Sequence, residues 1–88
     1  METESFVDKQ VVVDTSTSWL YLGRLVEDDG TFLVLAEADA FDLSETSLSK
    51  HEYLMRVKQD GIAPNRKRVS VVKSKIVALT LVEDILDE

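Results

Sequence analysis

Hydrophobic residues concentrate in two stretches of this chain, residues 11–37 and 69–82, and their spacing indicates β-strands. The first stretch is rich in Val, Leu, Trp, Tyr and Phe, which fit a pleated, half-buried surface. Polar turn residues at 16–18 and 28–30 divide it into three runs, and Gly30 adopts positive φ without strain. Because both gaps are short, we expect the three strands to be antiparallel neighbours.

The second of these runs carries apolar side chains on both faces, which a sheet with one solvated face does not need. Trp19 falls on one face and its neighbour Leu20 on the other. Gly23 has no side chain in the middle of the run, so the strand bends there or another backbone approaches closely. With two further runs at 66–73 and 76–82, the pattern predicts a mainly β fold whose five strands curl into a small barrel.

A helix is predicted between the third and fourth strands. Ser49 and, three residues later, Glu52 form a capping box, in which each side chain bonds the other's backbone N–H. Gly61 lies where the residue after a helix adopts positive φ. These signals place the helix at about residues 50–59. Its apolar stripe must lie on the barrel or on a neighbouring subunit, and it consists of Tyr53, Leu54 and Val57.

The charges are distributed unevenly. The net charge of −7 arises from −9 over residues 1–45, where eleven acids face two bases, +6 over residues 46–82, where two acids face eight bases, and −4 over the acidic tail 83–88. An acidic chain argues against nucleic acid, because phosphate binding uses clustered Lys and Arg. The basic segment either presents a local field to an anion or pairs with the acidic segments, within the chain or between subunits.

Length and composition indicate one globular domain, residues 1–88, with 44% hydrophobic and 31% charged residues. So small a core frequently gains stability from oligomerisation. The absence of cysteine excludes disulfides and thiolate metal sites. No apolar run approaches the roughly 20 residues that span a bilayer, and the N-terminus is acidic, so we expect a cytoplasmic protein that does not bind membranes.

Candidate catalytic and metal-binding groups are weak. His51 is the only histidine and has no second histidine or cysteine with which to share a metal. Asp39 and Asp42 lack the ligand spacing of a calcium loop, so we expect them to form a solvated acidic rim. The Ser and Thr residues at 44–49 explain a turn and a helix cap better than a nucleophile. We therefore expect neither an enzyme nor a bound cofactor or metal.

Two segments together resemble the Sm family. The first Sm motif is similar to KQVVVDTSTSWLYLGRLVEDDGTFLVLAEADAFD, where Gly23-Arg24-Leu25 matches a Gly-x-Leu element. The second, shorter motif is similar to RVSVVKSKIVAL, with Lys73-Ser74 in the place of an Arg-Gly pair. The resemblance implies a strongly bent five-stranded antiparallel barrel preceded by a short N-terminal helix. The predicted helix then belongs to an insertion at about residues 43–63.

The resemblance also implies self-association, because Sm-like rings form when the fifth strand of one subunit joins the fourth strand of the next. An apolar terminal strand with an unpaired edge favours the same pairing, and head-to-tail pairing closes into a ring when the rotation permits. The resemblance implies a ring of about five to seven subunits. The interface candidates are Val69, Val71, Ile76, Ala78, Leu79, Thr80 and Leu81.

In Sm-like rings, single-stranded RNA contacts the loops after the second and fourth strands. An aromatic residue stacks on a base, Asp and Asn form hydrogen bonds, and an Arg supports the base. Here Thr31 or Phe32 lies where the Asn is expected, and Lys73 keeps a charge but lacks the planar fork of Arg. The candidate RNA-binding residues are Asp28, Asp29, Thr31, Phe32, Lys73, Ser74, and the basic approach Arg66, Lys67 and Arg68.

Two functions therefore remain open at this stage. The first is a ring that binds single-stranded RNA, with Lys73 around the pore and Phe32 stacking on a base, although an aromatic residue at a strand start more often belongs to the core. The second is a ring-forming scaffold or protein-interaction module, in which the acidic surface and the insertion make the contacts. Fold alone does not choose between them.

Overall fold

Five antiparallel strands and one α-helix form the framework of residues 1–87, the part of the chain that the computed structural model describes. The strands form one sheet in the order β4-β3-β2-β1-β5. The predicted mainly β fold, with a helix between the third and fourth strands, is confirmed. The elements are β1 (Gln10–Thr15), β2 (Trp19–Asp28), β3 (Phe32–Asp42), α1 (Lys50–Asp60), β4 (Arg66–Val72) and β5 (Ile76–Leu81).

The pairing of β2 with β3 is irregular at two places, one at Gly23 and one between Leu25 and Glu27. The pairing register between β2 and β3 shifts between Leu22 and Arg24. A Cβ atom at residue 23 would lie 3.0 Å from the backbone oxygen of Ala36 and 3.0 Å from the Cβ of Ala38. No side chain fits there without displacing β3. Of the two alternatives that the sequence left open at Gly23, the close approach of another backbone is therefore observed, beside a shift in the pairing register.

Both faces of the sheet bury apolar side chains. Val11 and Val13 point to one face and Val12 to the other, as the period of a strand requires. The strand cluster, on the first face, consists of Val11, Val13, Leu25, Leu33, Leu35, Ala38, Val71 and Ile76. The helix-side cluster, on the second face, consists of Val12, Leu20, Leu22, Tyr53 and Val57. This two-sided burial explains why β2 is apolar on both faces.

Helix α1 packs on the sheet of its own chain. The capping box is present: Glu52 N–H donates to Ser49 Oγ at 3.1 Å, and Ser49 N–H donates to Glu52 Oε1 at 2.9 Å. The helix ends at Gly61, which has a φ of +84°. Tyr53 and Val57 are buried in the helix-side cluster. Of the two predicted locations for the helix stripe, the chain's own sheet is therefore the one observed.

The C-terminal segment after β5 packs beside α1. Ile85 lies partly buried against the helix-side cluster. Lys58 Nζ donates to the backbone oxygen of Ile85 and lies 3.1 Å from Asp87 Oδ1. The next residue, Leu86, is 76% exposed. The last residue of the predicted tail, 88, lies outside the described residues.

The sheet is not closed within one chain. Among residues 1–87, β4 pairs only with β3 and β5 pairs only with β1. Each of these two strands thus has one unpaired edge, named here the β4 border and the β5 border. The predicted barrel is an open, curved sheet, and Val77 on β5 is 66% exposed. Within residues 1–87, part of the apolar surface of β5 is therefore left uncovered.

The N-terminal helix implied by the resemblance is a single 3₁₀ turn, Glu4–Phe6. Phe6 packs partly buried against the strand cluster. None of the helices described within residues 1–87 is long and apolar enough to cross a membrane.

Candidate functional site

Two loops that we predicted to contact RNA meet at an ion pair. Asp28 ends β2, and Lys73 begins the 3₁₀ turn between β4 and β5. Lys73 Nζ lies 2.9 Å from Asp28 Oδ1 and 2.8 Å from Asp28 Oδ2. The backbone N–H of Lys73 also donates to the backbone oxygen of Thr31 at 2.8 Å. The fold therefore fastens the two loops to each other.

Asp28 is surrounded by donors. Besides the Lys73 ammonium, Thr3 Oγ1 donates to Asp28 Oδ2 at 2.6 Å and the N–H of Gly30 donates to Asp28 Oδ1 at 2.9 Å. The hydrogen bond from Lys73, followed by that from Thr3, lowers the pKa of Asp28 from 3.8 to about 2. The Asp28 and Lys73 side chains are only 18% and 17% exposed. Each group neutralises the other inside the fold.

Asp29 closes the turn that follows β2. Its Oδ1 accepts the N–H of Thr31 at 2.9 Å and the N–H of Phe32 at 2.7 Å. These bonds, led by that from Phe32, lower the pKa of Asp29. Gly30 has a φ of +93°, as the predicted turn requires. Both aspartates thus accept hydrogen bonds from their own loop, in the manner typical of Asx turns.

Phe32 lies at the rim of a groove, with 38% of its surface exposed. Trp19 and Tyr21 stack nearby, with ring centroids 6.2 Å apart and an interplanar angle of 17°. The groove has a volume of about 280 Å³. It is lined by Thr15, Thr17, Trp19, Tyr21, Phe32, Ser70, Val71, Val72 and Lys75.

The bend of β2 creates this aromatic groove. β2 has ten residues, so its ends would be about 30 Å apart in a straight strand. Trp19 begins the strand and Phe32 lies just beyond its end, yet both line one groove. The sequence analysis did not assign Trp19 or Tyr21 to a site, because their proximity to Phe32 depends on the degree of bending.

The three basic residues at the start of β4 do not join Lys73. Arg66 pairs with Ala38 and Val72 pairs with Phe32, so the basic residues occupy the opposite end of β4. Seven residues of extended strand place that end about 20 Å from Lys73. Arg66, Lys67 and Arg68 are all exposed. Within one chain, the two groups of RNA-binding candidates therefore lie at opposite ends of β4.

Other basic residues do pair with the acidic segments. Lys50 Nζ lies 2.7 Å from Asp14 Oδ1, and Lys58 and Lys73 pair with Asp87 and Asp28. Part of the charge asymmetry is therefore neutralised inside the chain, which is one of the two alternatives that the sequence left open.

The interface candidates differ in how much surface they leave for a partner. Val71 and Ile76 are buried in the strand cluster. Val69, Leu79 and Leu81 pack partly against the same cluster. Ala78 is exposed and Thr80 is half-buried. Ser74, an RNA-binding candidate, is exposed on the 3₁₀ turn after β4. The most exposed apolar side chain of β5 is Val77, which was not among the candidates.

A second cavity, of about 450 Å³, lies between α1 and the sheet. Tyr53 donates its hydroxyl to Asp39 and stacks on Phe41, with ring centroids 4.0 Å apart. Burial, followed by the bond to Asp39, raises the pKa of Tyr53. Asp39 is 9% exposed, so the expectation of a solvated acidic rim is wrong for this residue. Its role is to satisfy a buried tyrosine.

Comparison with known proteins supports the fold. No protein-family model and no curated protein matches the chain. The structure is similar to an Sm protein of Pyrococcus abyssii in complex with a uridine heptamer, with a TM-score of 0.57 and 19% identity over 88% of this chain and 87% of that chain. This likeness defines an Sm-like fold.

Two chains from structures of the NatC complex are also similar. One, from the complex bound to CoA, has a TM-score of 0.59 and 16% identity over 92% of this chain and 84% of that chain. The other, from the complex bound to a Gag peptide and CoA, has a TM-score of 0.58 and 15% identity over 91% and 90%. At these identities the likeness concerns the fold alone.

Proposed function

We propose that this protein is a ring-forming, Sm-fold protein-interaction module whose copies pair border to border. The observation that carries the proposal is the open sheet, in which β4 and β5 each have an unpaired border. The β5 sequence, Ile-Val-Ala-Leu-Thr-Leu, contains none of the charges or prolines that blunt exposed strand edges. Pairing of two unlike borders is head-to-tail and closes into a ring of about five to seven copies.

The loop geometry supports protein contacts over RNA recognition. Asp28 and Lys73 neutralise each other, and Asp29 accepts two N–H groups of its own loop. These groups present little unsatisfied charge or hydrogen-bonding capacity to a base. The similarity to chains of the NatC complex agrees with a role inside a protein assembly. The proposal assigns no catalytic step to this chain.

Single-stranded RNA binding is the second candidate. It is supported by the similarity to an Sm protein that was solved with a uridine heptamer. It is also supported by the groove, where exposed Phe32 lies near Trp19 and Lys75. Aromatic faces beside a cation are the usual elements of a single-strand binding surface.

Native mass spectrometry and light scattering test the assembly. The expected mass is a multiple of the 9.9 kDa chain, with one dominant stoichiometry. Val77→Lys places a charge on the β5 border and is expected to give monomers. Val7→Lys, at an apolar residue that is also exposed but lies outside the sheet, is the matched control and keeps the mass of the wild type. A strictly monomeric wild type at micromolar concentration contradicts the proposal.

The RNA candidate is tested by adding a uridine heptamer at low salt. The protein-interaction proposal expects no adduct. An adduct that weakens with salt and with Phe32→Ala, but not with Lys9→Ala outside the groove, would establish the second candidate instead.

A further inference from the structure

The two borders carry exposed charges of opposite sign that have no partner within the described chain. Arg66, Lys67 and Arg68 at the start of the β4 border are exposed, and no carboxylate of residues 1–87 lies within 4.0 Å of them. Glu83 and Asp84, just beyond the end of the β5 border, are exposed and equally lack a cation among the same residues. Three positive charges at one border thus match two negative charges at the other.

Strand direction decides whether these charges meet. β4 has seven residues and β5 has six, so the two borders align over nearly their full length. In antiparallel pairing, the start of β4 faces the end of a neighbouring β5, and the basic residues lie beside Glu83 and Asp84. In parallel pairing, the same basic residues would lie beside Lys75, and like charges at short range repel. The charge pattern therefore favours the antiparallel arrangement alone.

The apolar end of the pairing is also complementary in that arrangement. The start of a neighbouring β5, with Val77 66% exposed, then faces the end of β4. Val71 and Val72 at that end line the aromatic groove together with Phe32. One border contact thus places an exposed apolar side chain next to an open apolar groove and places acids next to bases.

We infer that a second copy of this chain occupies the β4 border and that Arg66, Lys67 and Arg68 form an intersubunit charge clamp with its Glu83 and Asp84. The inference rests on the proposed border-to-border assembly and adds the groups that fix its orientation and partner choice. The clamp lies at the rim of the contact, where charges set specificity and association more than total affinity. Most of the binding affinity would come from the apolar side chains of β5.

Charge reversal tests the clamp. The first variant, Arg66→Glu/Lys67→Glu/Arg68→Glu, and the second, Glu83→Lys/Asp84→Lys, each place like charges at both sides of every contact. Each is expected to raise the concentration at which half of the oligomer dissociates by about tenfold or more, as measured by light scattering at 0.15 M salt. Circular dichroism checks that each variant folds like the wild type.

Combining the two sets of reversals in one chain distinguishes a charge clamp from a general effect of net charge. A chain that carries both sets of reversals again has opposite charges across each contact, so its oligomer mass is expected to return. An equimolar mixture of the two single-set variants is expected to give oligomers that contain both variants, visible by native mass spectrometry, whereas neither variant assembles alone. Glu2→Lys/Glu4→Lys changes the net charge as much as the second variant, at exposed residues outside the borders, and is expected to leave assembly unchanged.

The outcomes distinguish the two levels of the proposal. A monomeric wild type removes the assembly and the clamp together. An oligomeric wild type whose reversed variants keep the same dissociation concentration overturns the clamp and leaves the assembly standing. Dissociation of both variants without restoration in the combined chain also overturns the clamp, because the charges then act without facing each other.

Discussion

The two ends of β4 carry cations in opposite situations. At the end of the strand, Lys73 is mostly buried and is held by both oxygens of Asp28. At its start, Arg66, Lys67 and Arg68 are exposed and have no acidic partner within residues 1–87. The same type of charge therefore stabilises the fold at one end and remains available to another molecule at the other. Charge counting along the sequence does not separate these roles.

The largest expected effect is loss of the pair at the Lys73 end. Lys73→Ala leaves the Asp28 carboxylate in a mostly buried position without its main donor, so we expect the free energy of unfolding to fall by about 1–3 kcal/mol. Urea denaturation at pH 7 measures the change, with Arg68→Ala at the other end as the control. An equal decrease in the free energy of unfolding for Lys73→Ala and Arg68→Ala would contradict the different roles assigned to the two ends of β4.

The dependence of the free energy of unfolding on pH in the acid range provides the second test. The folded-state pKa of Asp28 is lowered from 3.8 to about 2, so its contribution is complete above about pH 5 and is lost as the pH falls from there through 2. After allowance for solvent screening, the loss is on the order of 1 kcal/mol. Because other carboxylates titrate in this range, the measurement is the difference between wild type and Asp28→Asn in urea denaturation at pH 5, 3 and 2. A difference that does not change with pH contradicts the assigned role of Asp28.

A smaller effect is expected at Thr3, the second donor to Asp28. Thr3→Val keeps the shape of the side chain and removes the 2.6 Å hydrogen bond, which costs about 0.5–1.5 kcal/mol of stability. The pKa of Asp28, measured by NMR titration, is expected to rise while staying below 3.8. Thr46→Val, which also removes a threonine hydroxyl that accepts a local backbone N–H, is the control for the pKa.

The smallest effect on folding is expected at the exposed end. Arg66→Ala should change the free energy of unfolding of the dissociated chain by less than about 0.5 kcal/mol. If the charge clamp exists, the same variant reduces the dependence of oligomer dissociation on salt concentration, because one screened contact per interface is lost. Thermal denaturation of dilute protein and light scattering across a salt series measure the two quantities separately.

Local signals were sufficient to predict the framework. The capping box of Ser49 and Glu52, the glycine after the helix and the turn at residues 28–30 each depend on neighbours within a few positions. The helix boundaries and the turn can therefore be predicted from the sequence alone. The apolar character of both faces of β2 also correctly indicated a sheet that is covered on two sides.

Contacts between distant positions were not predictable in the same way. Asp28 and Lys73 were both identified as candidates, but their separation of 45 positions hides the fact that they bind each other. Asp39 was expected in solvent, because nothing near it in sequence shows that Tyr53 would donate a hydrogen bond to it.

The missing side chain at residue 23 has a consequence for the size of any closed assembly. The groove beside the β4 border exists because the sheet curls, and one of the two register shifts between β2 and β3 lies at this position, where β3 approaches too closely for a Cβ atom. The curvature of each subunit determines the rotation between neighbouring subunits of a ring. The number of subunits that closes the ring is the full circle divided by that rotation. In the proposed assembly, the strand curvature that Gly23 permits would therefore contribute to the number of subunits in the ring.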